Sequence, residues 1–268
     1  MDNDLQRHRI PIGISSCLLG ERVRYDGGHK GHSYITRRLG EYFEFKPFCP
    51  ELDIGLGVPR KPIRLLRQTD NSIRCVQTDD SSRDYTEALT GSADKQKHWQ
   101  QTLCGYIFKK DSPSCGMERV KIWDSTAPKR EGVGMYARRV MENFPFLPVE
   151  EEGRLGNAYL RENFIRRVYA LRRWYELEAQ GLTVSGLMGF HVRHKLILMS
   201  HDQETYADLG RLVAKSNREN LSDIARRYLQ EFMVAMKKRA SRKHPVDYIS
   251  QSYYMNPYPE ELCLRNEI

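Results

Sequence analysis

The sequence of 268 residues lacks any long hydrophobic run, although 40% of its residues are hydrophobic. No stretch approaches the roughly 18 consecutive apolar residues that a membrane-spanning helix needs. The N-terminal segment MDNDLQRHRIPIGISS has acidic residues where a signal peptide has a basic region, and it has no apolar core. These absences predict a cytoplasmic protein without a membrane segment, and the chain is long enough for two domains.

Closely spaced cysteine pairs are also missing. Six cysteines are present, but no two of them form a CxxC motif, which disfavours a zinc ribbon or a ferredoxin-type motif. Three disulfides are not expected in a reducing cytoplasm, so metal binding or catalysis is the favoured role for some of these cysteines. Internal repeats and low-complexity segments are absent too.

Acidic residues are fewer than basic ones. The chain carries 43 Lys and Arg against 35 Asp and Glu, a formal charge of +8 at pH 7. This excess favours a polyanionic partner such as a nucleic acid. Because the excess is divided equally between the residues before and after position 150, net charge does not identify the half that would bind.

Extended and helical patterns alternate in the first half of the chain. Strands are predicted at 10–16, 44–51, 72–78 and 104–110, with helices over 33–43 and 82–103. Each strand ends in Gly, Pro or Ser. This pattern predicts an α/β domain with a mostly parallel sheet, whose functional loops lie at the carboxyl ends of its strands.

The pattern changes near 145–156, where Pro, Gly and acidic residues follow one another closely. We therefore predict two domains, 1–150 and 151–268. Apolar residues of the second domain recur at helical spacing, so that domain is predicted to be all-α. Its predicted helices cover 157–180, 185–200, 204–215 and 219–240.

Three cysteines follow predicted strands and lie in loops rich in Gly, Pro and Ser. They are Cys17 in SSCLLG, Cys49 in PFCPE and Cys115 in SPSCG. Such loops gather at one edge of a parallel sheet, so the three thiols could converge. Three thiolates suit a [4Fe–4S] cluster with one open iron, whereas zinc would require a fourth ligand. The alternative is a small buried hydrophobic residue. That second role is expected for Cys75, Cys104 and Cys263.

Three motifs of the first half are SSCLLGERVRYDGGHK, FCPELDIGLGVPRKP and KKDSPSCG. Together they resemble the thiouracil desulfurase (TudS-like) family, over about residues 10–145. The second half contains GFHVRHKLILMSHDQETYADLGRLVA and ends with YYMNPYPEELCLRN, and it resembles the YbgA-type domain. The fused arrangement is similar to that of bacterial desulfidases that convert 4-thiouridine in tRNA to uridine.

The resemblance implies roles for five residues. The family's cluster ligands fall on Cys17, Cys49 and Cys115, which implies a [4Fe–4S] cofactor with one iron free of protein ligands. The active-site glutamate falls on Glu51, and the serine three positions before the last cysteine falls on Ser112. From local sequence alone, Glu51 could instead cap a helix and Ser112 could shape the turn before a proline.

Desulfuration of a thiocarbonyl needs a Lewis acid that prefers sulfur and a source of hydrolytic oxygen. We expect water to attack C4 of the thiolated ring and sulfide to leave onto the cluster, with no net electron transfer. Glu51 would act as a general base or proton shuttle. Ser112 would position the water or hydrogen-bond the ring.

A further group of residues is predicted to bind the substrate. Positive side chains in this group could contact a phosphate or the ring O2, and the tyrosine could stack on a base. A hairpin turn explains the DGG sequence equally well. The predicted substrate-binding residues are Ser16, Arg24, Tyr25, Asp26, Lys30 and Arg60.

Basic residues collect in the predicted helices of the second half, at 161–173 and 237–243. With nearby tyrosines and Trp174 they could follow a tRNA backbone, although a solvated charged face explains them equally well. No short RNA-binding motif is present, so this half would recognise shape and charge. His191 and His194 lie three residues apart without a third ligand, so packing is their favoured role.

These observations predict a two-domain iron–sulfur enzyme that removes sulfur from 4-thiouridine in tRNA, a hydrolase that acts in RNA modification. One alternative keeps the enzyme but changes the substrate to free 2-thiouracil or a thionucleoside. Another alternative is a non-enzymatic iron–sulfur sensor that binds nucleic acid.

Overall fold

The computed structural model describes residues 9–124 and 127–240. The described part of the chain forms two compact units, divided between Asn157 and Ala158. Among the described residues, no helix combines the length and the apolar character needed to traverse a bilayer. Cys263, the C-terminal aromatic motif and the basic residues Arg242 and Lys243 lie outside the described ranges.

The first unit is built from short strands and short helices. The strands are β1 (Ile10–Ser15), β2 (Phe43–Phe48), β3 (Ile63–Arg67), β4 (Ile73–Gln77), β5 (Gly105–Phe108), β6 (Val120–Trp123), β7 (Lys129–Gly132) and β8 (Val149–Glu151). The α-helices are α1 (Pro50–Asp53), α2 (Thr86–Lys95), α3 (Lys97–Gln100) and α4 (Met135–Asn143).

One sheet is parallel throughout, in the order β2-β1-β5-β8. Strands β1 and β5 consist almost entirely of buried residues, as expected for parallel strands covered on both faces. The predicted α/β domain with a mostly parallel sheet is therefore confirmed. Because β2, β1 and β5 are neighbours, the loops that follow Phe48, Ser15 and Phe108 meet at one edge of the sheet.

A second sheet, in the order β4-β3-β6-β7, was not predicted. Only β3 and β6 are parallel in it, and the other two pairs are antiparallel. The strand predicted at 72–78 is β4 of this sheet and not part of the parallel one. Its core side chains alternate along the strands and pack under α2 and α4, with Leu65, Cys75, Val120 and Ile122 buried.

The helix predicted over 33–43 is wrong in type. This segment forms one π-helical turn, Tyr34–Arg38, followed by a 3-10 turn, Leu39–Glu41. The β-branched residues Ile35 and Thr36 lower the helix propensity of a segment that is too short to be stable as an α-helix by itself.

The long helix predicted over 82–103 is also wrong, because the segment forms two shorter helices. Helix α2 begins only at Thr86, whose backbone N–H donates to the Asp84 carboxylate at 2.8 Å. The helical path is interrupted at Gln96, which ends α2 and precedes α3. There the Gln96 side chain accepts a hydrogen bond from the Trp99 indole at 2.8 Å, which stabilises the interruption.

The described part of the second unit is helical, as predicted. Its helices are α5 (Ala158–Ala179), α6 (Val184–His201), α7 (Gln203–Ala214) and α8 (Leu221–Ala235). Aromatic rings form much of the core. The Trp174 ring lies 5.1 Å from Phe190 and 5.9 Å from Tyr228, between ring centroids, and Phe232 lies 5.6 Å from Phe190.

The arginines of α5 do not form one solvent-exposed surface. Arg161 and Arg167 are buried, and Arg167 donates to the Asn163 side chain at 2.9 Å. Arg172 pairs with Glu176 at 2.7 Å on the same helix. Burial removes the first two arginines from contact with a large partner, so the phosphate-tracking role predicted for them is wrong.

Candidate active site

Three cysteines meet at the carboxyl edge of the parallel sheet. Cys17 follows β1 in a short 3-10 helix, Cys49 lies between β2 and α1, and Cys115 lies in the loop after β5. All three line one cavity of about 380 Å³. Adjacent parallel strands thus bring together thiols that are far apart in the sequence.

The three thiols are close enough to affect one another. Burial raises the pKa of Cys17 to about 11 and raises the pKa of Cys115 strongly, and the neighbouring Cys49 adds a smaller increase to both. The nearby hydroxyls of Ser114 and Ser15 offset part of this increase in the pKa of Cys115. Buried thiols of this kind become thiolates when positive charge, such as a metal group, is placed between them.

The donor set fits a polynuclear metal group better than a single ion. Among the described residues, no three His, Cys, Asp or Glu side chains are grouped closely enough to hold one ion. The three thiols nevertheless line the same cavity, and no further described cysteine or histidine lines it. A group that spans the space between the thiols and accepts three thiolates satisfies both observations.

Glu51 is held in the cavity wall by two other segments. It lies in the first turn of α1, and its side chain is 14% exposed. Its Oε2 accepts hydrogen bonds from Arg60 Nε at 2.9 Å and Nη2 at 2.7 Å, and its Oε1 accepts one from Ser114 Oγ at 2.6 Å. Because both carboxylate oxygens have partners, the orientation of the carboxylate is fixed.

Arg60 supplies two of the hydrogen bonds that hold Glu51. The sequence predicted a substrate contact, but the guanidinium is only 8% exposed and is directed at Glu51. Its remaining contacts also hold the segment, since Nη1 donates to the Gly57 carbonyl at 3.1 Å and the backbone N–H donates to Tyr25 at 2.9 Å. The arginine lines the cavity as the partner of the glutamate.

Two serines form a chain of hydrogen bonds that ends on Glu51. Ser112 Oγ lies 2.9 Å from Ser114 Oγ. The hydroxyl proton of Ser114 is directed at the carboxylate, so Ser112 is the donor in the serine pair. Ser112 Oγ also accepts the backbone N–H of Cys115 at 3.1 Å. Sequence reasoning found Ser112 but missed Ser114, whose only signal was its place in SPSC.

Most of the predicted substrate-binding residues line the cavity. Asp26 does not, because its carboxylate accepts the Gly28 N–H at 3.0 Å and faces Arg24 at 3.5 Å. In the structure this aspartate makes turn contacts, and its substrate contact stays a prediction. The predicted residues that do line the cavity are Ser16, Arg24, Tyr25, Lys30 and Arg60.

Sequence reasoning missed two further cations, Lys109 and Lys110, which follow β5 and line the cavity. In the sequence, the only feature that pointed to these two lysines was the KK pair that precedes DSPSCG. Lys109 pairs with Glu152, and its charge lowers the pKa of Cys17 against the larger effect of burial. Cations around buried thiols stabilise thiolates and attract anionic substrates.

The loop that carries Cys115 is supported on two sides. Asp111, which has a positive φ of 60°, accepts a hydrogen bond from Arg130 at 2.7 Å. At Gly134, just before α4, a Cβ atom would lie 2.5 Å from the carbonyl carbon of Ser114 and 2.8 Å from the nitrogen of Cys115. Glycine is required for this close approach, so the start of α4 fixes the loop.

Thiols, a fixed carboxylate and cations at the carboxyl edge of a parallel sheet define an α/β enzyme whose cavity chemistry depends on cysteine. The family model described as 2-thiouracil desulfurase matches residues 12–152. The chain belongs to this family, and its first unit is therefore of the desulfurase class. A second model, described as a protein of unknown function (DUF1722), matches residues 195–244.

Individual relatives match different parts of the chain. The uncharacterised protein YbgA of Escherichia coli K12 is 32% identical over 94 residues, which cover 34% of this chain and 56% of YbgA. The uncharacterised protein YbbK of Bacillus subtilis 168 is 30% identical over 133 residues, which cover 47% of this chain and 86% of YbbK. The solved structure of the [4Fe-4S]-dependent thiouracil desulfidase TudS matches 55% of this chain and 93% of its own, at 29% identity and a TM-score of 0.44.

Proposed function

We propose that this chain converts 4-thiouridine in tRNA to uridine by hydrolytic desulfuration, with a [4Fe–4S] cluster bound by Cys17, Cys49 and Cys115. The observation that carries the proposal is the meeting of three thiols and Glu51 at one cavity. In this proposal the domain 1–150 performs the chemistry in the cytoplasm, and the domain 151–268 docks the tRNA.

The proposed ligands fit the cluster. When bound, a [4Fe–4S] cluster with three thiolate ligands supplies one open iron, a Lewis acid that prefers sulfur. A backbone hydrogen bond holds the loop of Cys17 in place, since the Cys17 carbonyl accepts the N–H of Lys30 at 2.8 Å. The cations of the cavity wall offset the negative charge that three thiolates bring.

Water supplies the oxygen in this mechanism. Ser112 holds a water beside C4 of the ring, and the proton lost by the attacking water passes through Ser112 and Ser114 to Glu51. Arg60 keeps the Glu51 carboxylate oriented toward the serine chain during this transfer. Glu51 then returns a proton to the departing sulfide. The thiocarbonyl and water give a carbonyl and hydrogen sulfide, so the balance requires neither an oxidant nor a reductant.

A polynucleotide substrate is supported by side chains at the cavity mouth. Tyr25 is 42% exposed, and the Arg24 guanidinium lies 5.4 Å from the centre of its ring. An exposed tyrosine beside a cation offers a stacking surface for a base and a contact for a phosphate. A free thiobase has no phosphate, so it would leave the phosphate contact of Arg24 unused.

Serine substitutions test the cluster assignment. Cys17→Ser, Cys49→Ser and Cys115→Ser are each expected to lose the bound iron after anaerobic reconstitution, and with it the turnover of thiolated tRNA. Cys75→Ala and Cys104→Ala are matched controls, because both cysteines are fully buried and neither lines the cavity. If the three serine variants retain a full cluster and turn over, the site assignment is wrong.

Glu51→Gln, together with a comparison of substrates, separates the proposal from its alternatives. We expect this variant to keep the cluster and to lose nearly all turnover. An iron–sulfur sensor would convert no substrate and would bind nucleic acid equally well with either side chain. A desulfurase of small molecules would convert free 2-thiouracil or a thionucleoside faster than it converts tRNA.

A further inference from the structure

A groove on the second sheet continues from the active-site cavity. It has a volume of about 240 Å³ and is formed by β3, β6 and β7. Ile63, Asp111 and Pro113 line both the groove and the cavity, so the two spaces adjoin. A molecule whose reacting ring lies in the cavity can therefore extend into the groove.

The pleat of β6 determines which side chains face the groove. Val120 and Ile122 are buried in the core, so the alternate residues Lys121 and Trp123 project from the opposite face. Strand register places Arg130 of β7 beside Lys121. On β3, Arg64 lies with its guanidinium 5.8 Å from the centre of the Trp123 ring.

The groove is positively charged. Arg64, Lys121 and Arg130 line it, against a single acidic side chain, Asp111, which pairs with Arg130. Neither Arg64 nor Lys121 has an acidic partner within the described part of the chain. The Nε of Arg64 is shielded from solvent and has no hydrogen-bond partner there. A guanidinium and an ammonium group that line one groove without acidic partners suit a phosphate oxygen.

Trp123 adds a surface for stacking. Its side chain is 37% exposed, whereas Trp174 is almost fully buried. An indole that is left partly open, beside unpaired cations, resembles the combination that binds single-stranded nucleic acids. An acidic peptide would use the cations but would leave the indole without a flat partner.

We propose that this groove binds the nucleotide next to the thiolated one in a single-stranded RNA segment, with its base on Trp123 and its phosphate against Arg64 and Lys121. The inference rests on the proposed desulfuration of RNA and adds the surface that favours a polynucleotide over a free thiobase. The thiolated nucleotide itself occupies the cavity, and its neighbour reaches the groove across Ile63 and Pro113.

Two measurements on the full chain test the groove. The first is the turnover of an RNA with one internal 4-thiouridine, compared with the turnover of free 4-thiouridine. The RNA has about ten nucleotides, a length that covers one single-strand binding site. The second is the binding of the same RNA without the thio group, followed by fluorescence anisotropy at several salt concentrations. The variants are Trp123→Ala, Trp123→Phe and Lys121→Gln, and the control is Lys95→Gln, an exposed lysine of α2 outside both spaces.

Trp123→Ala is expected to lower kcat/KM for the oligonucleotide and to weaken RNA binding by about tenfold, the effect of losing one stacked base. Trp123→Phe should recover most of both, because it keeps an aromatic face. Lys121→Gln should reduce the slope of log affinity against log salt by about 0.7, the contribution of one phosphate contact on a single strand. Lys95→Gln should match the wild type.

The groove assignment is overturned if Trp123→Ala binds RNA as the wild type does, or if it loses turnover equally on the oligonucleotide and on the free nucleoside. The proposed function fails separately, if the wild-type chain converts neither substrate. In that event the anisotropy measurement still decides the groove, because it needs no turnover.

Discussion

At the scale of single residues, the chemistry depends on how the side chain of Glu51 is held. Arg60 occupies one carboxylate oxygen with two hydrogen bonds, and Ser114 occupies the other. The carboxylate is therefore already oriented before the substrate binds, in a single side-chain rotamer. Preorganisation of this kind lowers the cost of proton transfer.

Ser114→Ala tests the serine chain. A hydrogen bond to a charged group is worth about 1.5–3 kcal/mol, so we expect kcat to fall by roughly 10- to 100-fold. Iron content should not change, because Ser114 is not a proposed ligand. Ser82→Ala is the matched control, since Ser82 donates to the Asp80 carboxylate at 2.6 Å on a loop away from the cavity. Unchanged turnover in Ser114→Ala would remove the serine from the mechanism.

The sequence allowed the cluster cysteines, Glu51 and Ser112 to be proposed, because each belongs to a motif that can be recognised locally. The partners of Glu51 could not be predicted in the same way. Ser114 is 63 positions away in the chain, and Arg60, although only 9 positions away, folds back onto the glutamate. Such contacts depend on how loops from different strands meet, which no local pattern encodes.

At the scale of secondary structure, the start of α4 fixes the loop of Cys115 through the absence of a side chain at Gly134. Gly134→Ala would force a Cβ to within 2.5 Å of the Ser114 backbone. We expect a destabilisation of about 1–3 kcal/mol, as for other overpacked sites, and a reduced iron content because Cys115 is displaced. Thermal unfolding and iron analysis measure the two effects.

Gly91→Ala is the matched control for that substitution. Gly91 lies inside α2, and a Cβ there would meet no atom within 4 Å. Alanine should therefore stabilise the unit by about 0.5–1 kcal/mol through helix propensity, with normal iron content. If Gly134→Ala binds iron and unfolds as the wild type does, the close approach at α4 does not support the site.

The elements of the first unit were predicted unevenly, for a physical reason. Buried parallel strands such as β1 and β5 are continuous apolar runs, so the sequence identifies them. The second sheet has short strands whose outward residues are charged or aromatic, as in the VKIW sequence of β6, and its alternation over four residues is too brief to be distinctive. The interruption at Gln96 depends on a contact with Trp99 that helical periodicity does not reveal.

At the scale of the whole molecule, the helical unit contains two buried histidines. The Nδ1 of His194 lies 2.8 Å from the Phe190 carbonyl, and that of His201 lies 2.6 Å from the Lys238 carbonyl. Carbonyls only accept, so Nδ1 carries the proton, and neither Nε2 has a hydrogen-bond partner among the described residues. Burial lowers the pKa of His194 to about 3 and that of His201 to about 4.

These pKa values make the helical unit less stable in acid. Between the lowered pKa values and the ordinary pKa of about 6.5, the unfolded unit binds more protons than the folded one. The free energy of unfolding is therefore highest above about pH 6.5 and falls as the pH decreases below it. At about pH 5.5 each histidine should cost about 1.4 kcal/mol. His201→Asn, which keeps a donor for the Lys238 carbonyl, should reduce the pH dependence. His194 and His191, whose pKa values burial also lowers, account for what remains.

Urea unfolding followed by tryptophan fluorescence measures this effect. In a background with Trp99→Phe and Trp123→Phe, the remaining Trp174 reports on the helical unit alone. His98→Asn, at an exposed histidine of α3, is the control and should not alter the pH dependence. An unfolding midpoint that stays constant from neutral to mildly acidic pH would contradict the account of the two histidines.

The division into an α/β unit and a helical unit was accessible from the sequence, because the period of the apolar residues changes along the chain. The surface that we propose for RNA binding was not accessible in this way. Net charge is equal in the two halves, and two of the arginines that drew attention to α5 are buried. Whether a basic residue faces solvent or the core depends on packing around the whole helix.

The central claim is that water replaces the sulfur of 4-thiouridine in the cavity bounded by the three cysteines. Conversion of thiolated tRNA by the reconstituted chain in ¹⁸O-labelled water, without added oxidant or reductant, tests this claim most directly. We predict one heavy oxygen in each uridine formed, one sulfide released for each uridine, and almost no conversion by Glu51→Gln. Unlabelled uridine, or a reaction that proceeds only with an electron donor or acceptor, would contradict the account.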